Sequence, residues 1–218
     1  MPQESYDLKR RASQQLKGQW LQAGIVCFIA WLLTVAFTDR NVVHSMQTVW
    51  QNGEFIRIPT TTSSTSLGDL LSFILMGPVT LGVSCYFLKL IRKEGPIIED
   101  MFKGFKFFIK SFVLNLLITI FTLLWTLLLI IPGIIATFRY SMAYYIMMDQ
   151  PELSAFEALN ESKRMMIGFK FQRFLLWFSF LGWFLLGIVT LGIAFLWVYP
   201  YYETAKANFY QDLKEHYN

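Results

Sequence analysis

The sequence predicts an all-α polytopic membrane protein with six transmembrane helices arranged as three tandem helical hairpins, and amphipathic helices at the interface. Three observations carry that prediction: apolar runs of spanning length, one pattern repeated three times, and a one-sided distribution of Lys and Arg. Hydrophobic residues make up 55% of the 218 residues and charged residues 16%. An ordinary soluble domain is about 45–50% apolar and about 25% charged. With 21 phenylalanines, one water-soluble core of this size has nowhere to hide so much apolar surface. Lipid covers what the protein cannot.

The repeated pattern is a basic glycine motif, an apolar run, a short break and a second apolar run. The motif reads Leu16-Lys17-Gly18-Gln19-Trp20, then Lys103-Gly104-Phe105-Lys106, then Gly168-Phe169-Lys170. The breaks are Gly77-Pro78-Val79-Thr80-Leu81-Gly82, Ile131-Pro132-Gly133-Ile134 and Val189-Thr190-Leu191-Gly192. The second and third are expected hairpin turns, and Gly77-Pro78 falls inside a span as a kink.

A crossing needs roughly 20 apolar residues at about 1.5 Å each. The expected spans are Trp20–Thr38, Leu67–Ile91, Ser111–Ile131, Pro132–Met148, Phe174–Gly187 and Gly192–Tyr202 with its flanks. The last two form one stretch, long for one span and short for two. Trp177, Trp183, Trp197 and Tyr199 suit anchoring of two crossings at the interfaces, with a kinked single span or a re-entrant pair as the rival. The first run is long for a signal-peptide core, and no small-residue cleavage site follows it before Asp39, so an uncleaved helix is expected. The whole chain, 1–218, reads as a single integral membrane domain.

With six spans, all of the 19 Lys and Arg except Arg40, Arg57 and Arg139 fall on one side. The positive-inside bias then places both termini in the cytoplasm. On the opposite face, residues 39–67 form an extracytoplasmic loop ending in a Ser/Thr-rich run, Thr60 to Ser66, expected to be lightly structured.

The cytoplasmic linkers 93–110 and 151–173 are basic and amphipathic. Ile98, Met101, Phe102, Phe105 and Ile109 recur at helical spacing among Lys103, Lys106 and Lys110. Ser154 and Glu157 make a capping box after Pro151. Beyond it Met165, Met166 and Phe169 alternate with Lys163, Arg164, Lys170 and Arg173. Such helices lie in the headgroup plane, with their cations against anionic lipid. They serve either as plain topology anchors or as a surface that recognises acidic phospholipid or a cytoplasmic partner. Nucleic acid is not an expected partner, because the cations sit at membrane edges.

Inside the spans, Arg139 lies seven residues past Pro132, about 10 Å into the bilayer. A charge at that depth has to face the bundle interior, a cavity or a partner. Tyr140, Tyr144 and Tyr145 are beside it in sequence, and Asn115 and Glu203 are its candidate partners. The ligand-binding candidates are therefore Arg139, Tyr140, Tyr144, Asn115 and Glu203, set against a purely structural arginine. No Asp or Glu occurs in 70–88, 111–137 or 174–202, which counts against ion-coupled transport. No metal, phosphate-loop or serine-hydrolase motif is present. Cys27 and Cys85 read as small apolar residues, and no cofactor and no catalysis are expected.

Several stretches carry a resemblance. Ile131-Pro132-Gly133-Ile134-Ile135, Arg139 to Ile146, Asp149-Gln150-Pro151, Ala158, Ser162-Lys163 and Met165-Met166-x-Gly168-Phe169-Lys170 resemble the DUF975 integral membrane family of Gram-positive bacteria. So do Phe180-Leu181-Gly182-Trp183, Thr190-Leu191-Gly192, Leu196 to Tyr201, Ala205, and Ala12 with Leu16-x-Gly18-x-Trp20. The hairpin organisation is more distantly similar to the membrane domain beside some glycerophosphodiester phosphodiesterases, whose catalytic domain has no counterpart here. The resemblance implies a multi-span bacterial plasma-membrane protein and supplies no catalytic residues. The expected role is non-enzymatic: interaction with lipids or with another membrane or envelope component, such as a membrane protein or peptide, in immunity or envelope-stress protection. The alternative is a transporter, channel or export accessory with a polar cavity at Arg139.

Overall fold

A Gly-Pro pair in an apolar run ordinarily ends or kinks a helix, yet α3 (Leu67–Ile91) continues through Gly77-Pro78. The computed structural model describes residues 5–35, 42–51, 54–63 and 67–217. Before α3 come α1 (Ser5–Gln15), α2 (Trp20–Val35), β1 (Val42–Gln51) and β2 (Glu54–Ser63). After it a 3₁₀ segment, Ile98–Phe107, leads directly into α4 (Phe108–Leu128), followed by α5 (Ile130–Arg139) and α6 (Ala143–Asp149). The chain closes with α7 (Ala155–Met165), α8 (Lys170–Ser179), α9 (Leu181–Val189) and α10 (Phe195–Tyr217).

The first break is therefore no break. Its glycines instead let backbones touch: a Cβ on Gly82 would overlap the carbonyl of Met101, and one on Gly104 would overlap the carbonyl of Pro78. A Cβ on Gly77 would lie 2.5 Å from the Ser111 carbonyl oxygen. Small residues permit this close approach of backbone to backbone.

The third break falls where the sequence puts it, while the second comes earlier, at Leu129, with Ile131–Ile134 inside the next helix. Leu129 is a single extended residue between α4 and α5 (φ −162°, ψ 144°), and Gly133 rests against Thr126. Pro132 occupies the first turn of α5, where its missing N–H costs nothing. After α9, Leu191 and Gly192 are left-handed (φ 52° and 96°). Leu191 N donates to Ile188 O at 3.1 Å and Gly192 N to Gly187 O at 2.8 Å, a Schellman closure.

Two expected spans are interrupted. Pro132–Met148 divides into α5 and α6, because Tyr140–Met142 turns. Ser162 of α7 fills the gap: its hydroxyl donates to Arg139 O (3.0 Å) and accepts from Met142 N (3.3 Å). The fifth breaks into α8 and α9 at Phe180. Among the described residues, three helical stretches are long and apolar enough to cross a membrane, Leu67–Ile91, Ile98–Leu128 and Lys170–Val189. The count rises to four if α1 and α2, bent by 104°, are one broken span. The first linker also departs from expectation, since Ile98–Phe107 is 3₁₀ where an amphipathic α-helix is predicted. In the second linker the Ser154/Glu157 capping box forms as expected, with Ser154 N donating to Glu157 Oε2 at 2.8 Å.

Helices α1–α2 and α7–α8 are joined by the same turn, 150 residues apart. Leu16 N donates to Ala12 O and Gln19 N to Leu16 O; correspondingly Met166 N donates to Ser162 O and Phe169 N to Met166 O. Gly18 and Gly168 share the left-handed conformation (φ 81° and 84°), and Ala23 and Arg173 occupy matching buried positions. The central motif departs from this pattern, because Gly104 sits in the 3₁₀ segment against α3.

The stretch 39–67, read as a lightly structured loop, contains an antiparallel ribbon from Val42↔Ser63 to Gln51↔Glu54. Its β-branched content (Val42, Val43, Thr60, Thr61, Thr62) favours extended backbone. The flanking 36–41 and 64–66 lie outside the described residues.

Burial divides the helical body in two. The core gathers α1 (Leu8, Ala12) with Leu16 just after it, the second half of α3 (Tyr86, Phe87), Met101, α6 (Tyr145) and the second half of α10 (Phe209, Tyr210). By contrast Leu127, Ile131 and Leu191 are 84%, 72% and 94% exposed, so that end is covered only by what surrounds the protein.

Candidate functional site: a polar ladder on α10

The second half of α10 is polar in sequence and buried in fact. Thr204, Ala205, Ala207, Asn208, Phe209, Tyr210 and Leu213 are all inside. Buried polar groups must be satisfied, and those of α10 meet partners from α1, α6 and α8 and from Arg92 just past α3.

At its lower end Asp149, the last residue of α6, is the acceptor hub. Arg92 donates to it from both terminal nitrogens at 2.7 Å, Lys214 Nζ at 2.7 Å and Tyr210 OH at 3.0 Å. Arg92 also donates to Gln211 Oε1 at 3.1 Å. Burial pushes the Asp149 carboxyl up, but the hydrogen bonds from Arg92 and Lys214 outweigh it and hold the group below the usual carboxylate range. In the middle, Asn208 and Gln15 of α1 pair their amides (2.6 and 3.2 Å), and Arg11 pairs with Asp212.

At the upper end Glu203 accepts from Tyr145 OH (3.2 Å) and Lys206 Nζ (2.8 Å). Lys206 also lies over the rings of Tyr145 and Tyr202, 5.5 and 5.8 Å from their centroids. Arg173 of α8 sits over Tyr202 at 5.3 Å and donates from Nη2 to its hydroxyl at 2.7 Å. Arg173 is 3% exposed, and its Nε and Nη1 have no hydrogen-bond partner among the described residues. Lys9 of α1 lies 5.4 Å over Phe180, whose ring is edge-on to Tyr202 at 5.4 Å.

The sequence candidates are distributed differently from expectation. Tyr144 OH donates to Asn115 Oδ1 at 2.9 Å, and Asn115 Nδ2 donates to Phe73 O at 3.3 Å, a cross-tie of α6, α4 and α3. Tyr140 packs on Phe121. Arg139 is half-buried at the end of α5, its Nε unpartnered. Asn115 and Glu203 are thus committed to Tyr144, Tyr145 and Lys206, and neither is bonded to Arg139.

Among the proposed headgroup cations, Arg173 is interior and not on the surface as expected, because its place just after the α7–α8 turn matches that of buried Ala23. Lys103 pairs with Asp100 at 2.6 Å, and Lys110 donates to Pro151 O at 2.7 Å. Arg164 lies 3.8 Å from Glu161. Lys106 and Lys163 are exposed and Lys170 half-buried. Both cysteines are free, and no group of metal-ligating residues gathers among the described residues.

A family profile described as "Protein of unknown function (DUF975)" matches residues 1–137 and 126–217. The chain belongs to the DUF975 family. No curated protein and no solved structure matches it. The α10 ladder of this DUF975 chain escapes sequence reading, because residues 203–217 look like a polar tail after a last span. Two signals were present: the small residues Thr204, Ala205 and Ala207, and Asp149 at the end of an apolar run.

Proposed function

We propose that this DUF975 chain is a six-span bacterial plasma-membrane protein with both termini in the cytoplasm. Its role is non-enzymatic: it engages anionic lipid, or another envelope component presented at the lipid surface, in immunity or envelope-stress protection. The observation that carries this reading is a collar of exposed apolar side chains beside cations that have no ion pair among the described residues. Phe102 and Ile109 are 47% and 76% exposed around Lys106, and Ile167 and Phe171 are 67% and 68% exposed beside Lys163 and Lys170. Apolar groups of that size insert at the headgroup boundary, and each nearby cation adds about 1 kcal/mol against an anionic leaflet. The α4 tip and α9, apolar and exposed, belong in hydrocarbon on the same reading. The test is lipid selectivity in reconstituted vesicles. The Lys106→Gln/Lys163→Gln/Lys170→Gln variant binds phosphatidylglycerol vesicles more weakly and shows a reduced preference over phosphatidylcholine; an unchanged preference sinks the proposal.

The second reading is a transporter, channel or export accessory with its polar cavity at Arg139, supported by the unpartnered Nε of that half-buried residue. It requires water access to Arg139, and a dry, packed surround rules it out.

A further inference from the structure

A buried guanidinium needs either a counter-charge or a full set of acceptors, since an unpaired interior charge is strongly destabilising. Asp100, the other buried charged residue among those described, has both: Lys89 at 2.7 Å, Lys103 at 2.6 Å and Ile97 N at 3.0 Å. Arg173 has neither. It carries five N–H donors, and those on Nε and Nη1 meet no acceptor among the described residues. Around the Tyr202 and Phe180 rings stand three cations, Arg173, Lys206 and Lys9. The carboxylate in the cluster is Glu203, already bonded to Lys206 and Tyr145. The cluster therefore has an excess of positive charge, and the Nε and Nη1 donors of Arg173 are unmet among the described residues.

Resting on the membrane reading above, we propose that Arg173 is the anchor of an internal oxyanion site for a phosphate group, supplied by the headgroup of an anionic phospholipid. An oxyanion with several oxygens can serve donors that leave the guanidinium in different directions, and Arg is the side chain best matched to phosphate. The position suits a headgroup: Arg173 lies one turn past Lys170, at the start of the apolar stretch Lys170–Val189. Half-buried Tyr202 is its cover. The ligand replaces the missing acceptors, so the site is less stable empty than filled.

The test is thermal unfolding of the full chain in non-ionic detergent, with phosphatidylglycerol, phosphatidylcholine or inorganic phosphate added. Wild type, Arg173→Gln, Arg173→Lys and the Lys106→Gln/Lys163→Gln/Lys170→Gln variant are compared. A ligand at a hundred times its Kd raises the midpoint by about 5 °C or more. The expected result is a phosphatidylglycerol shift in wild type and the triple variant that Arg173→Gln abolishes and Arg173→Lys weakens. Without lipid, Arg173→Gln melts at or above wild type, because a cost has been removed. An equal shift with inorganic phosphate identifies a free phosphate as the ligand; a shift with phosphatidylglycerol alone identifies the headgroup. A phosphatidylglycerol shift that survives in Arg173→Gln overturns the site, and if the triple variant loses that shift the surface collar stands without it. If Arg173→Gln does not fold, an undiminished shift in Arg173→Lys overturns the site. No shift in any protein overturns both readings.

Discussion

Arg92, one residue beyond α3, grips Asp149 at the end of α6 through both terminal guanidinium nitrogens, 2.7 Å each. The pair joins residues 57 apart in sequence, and Lys214 closes the same carboxylate from α10. Breaking it from the acid side leaves two partly buried cations without an acceptor. Asp149→Asn is expected to cost about 2–3 kcal/mol, below the full value for a buried pair because Arg92 and Lys214 retain solvent contact. Denaturant unfolding measures this, and a loss under 0.5 kcal/mol, about the size of a surface effect, contradicts the hub.

The same carboxylate sets an acid limb of stability. Its folded pKa is depressed below the ordinary 3.8, so its contribution is complete above the unfolded pKa and is lost as pH falls through the folded value. Wild type should lose stability below about pH 4 more steeply than Asp149→Asn. Parallel acid limbs in the two proteins contradict the depressed value.

Gly82 and Gly104 meet backbone to backbone, so Gly82→Ala and Gly104→Ala each force the 3₁₀ segment off α3. The expected cost is about 3 kcal/mol or more. Gly182, with nothing within 4 Å of an added Cβ, accepts Ala in α9 with no loss. Thermal midpoints of the three variants give the comparison, and equal values would refute the close crossing.

Gly18 and Gly168 have open space around an added Cβ, and only their φ opposes substitution. Gly18→Ala and Gly168→Ala should therefore cost about 1–2 kcal/mol each, and the same amount within error. Unequal costs measured by denaturant unfolding would contradict a shared turn.

What the sequence revealed follows from how apolar and polar side chains separate along the chain. Helix α3 emerged with its observed ends, because a polar boundary stands at each side of one apolar run. The Thr190 turn was legible for the same reason, and the Leu129 turn was expected slightly later, at Pro132. The continuity of α3 through Gly77-Pro78 was also expected, but the reason for its glycines, the backbone contacts with Met101 and Gly104, was not legible. The Ser154 capping box was local and therefore visible. Arg173 was misplaced for the opposite reason: a cation after Lys170 reads as surface, and only the turn repeated from Ala23 puts it inside. The ribbon at 42–63 was hidden by its low-complexity end, though Asn52-Gly53 is a strong hairpin pair in sequence.

The central claim is that the basic helices face the cytoplasm and the ribbon faces outward, with the apolar helices crossing between. Single cysteines at Lys106, Lys163 and Thr61 in a Cys27→Ala/Cys85→Ala background test it directly, using a membrane-impermeant maleimide on intact cells and on inverted vesicles. The account predicts that Lys106→Cys and Lys163→Cys react only in inverted vesicles and Thr61→Cys only in intact cells. Labelling of all three from one side, or of Lys106→Cys and Lys163→Cys from opposite sides, would contradict it.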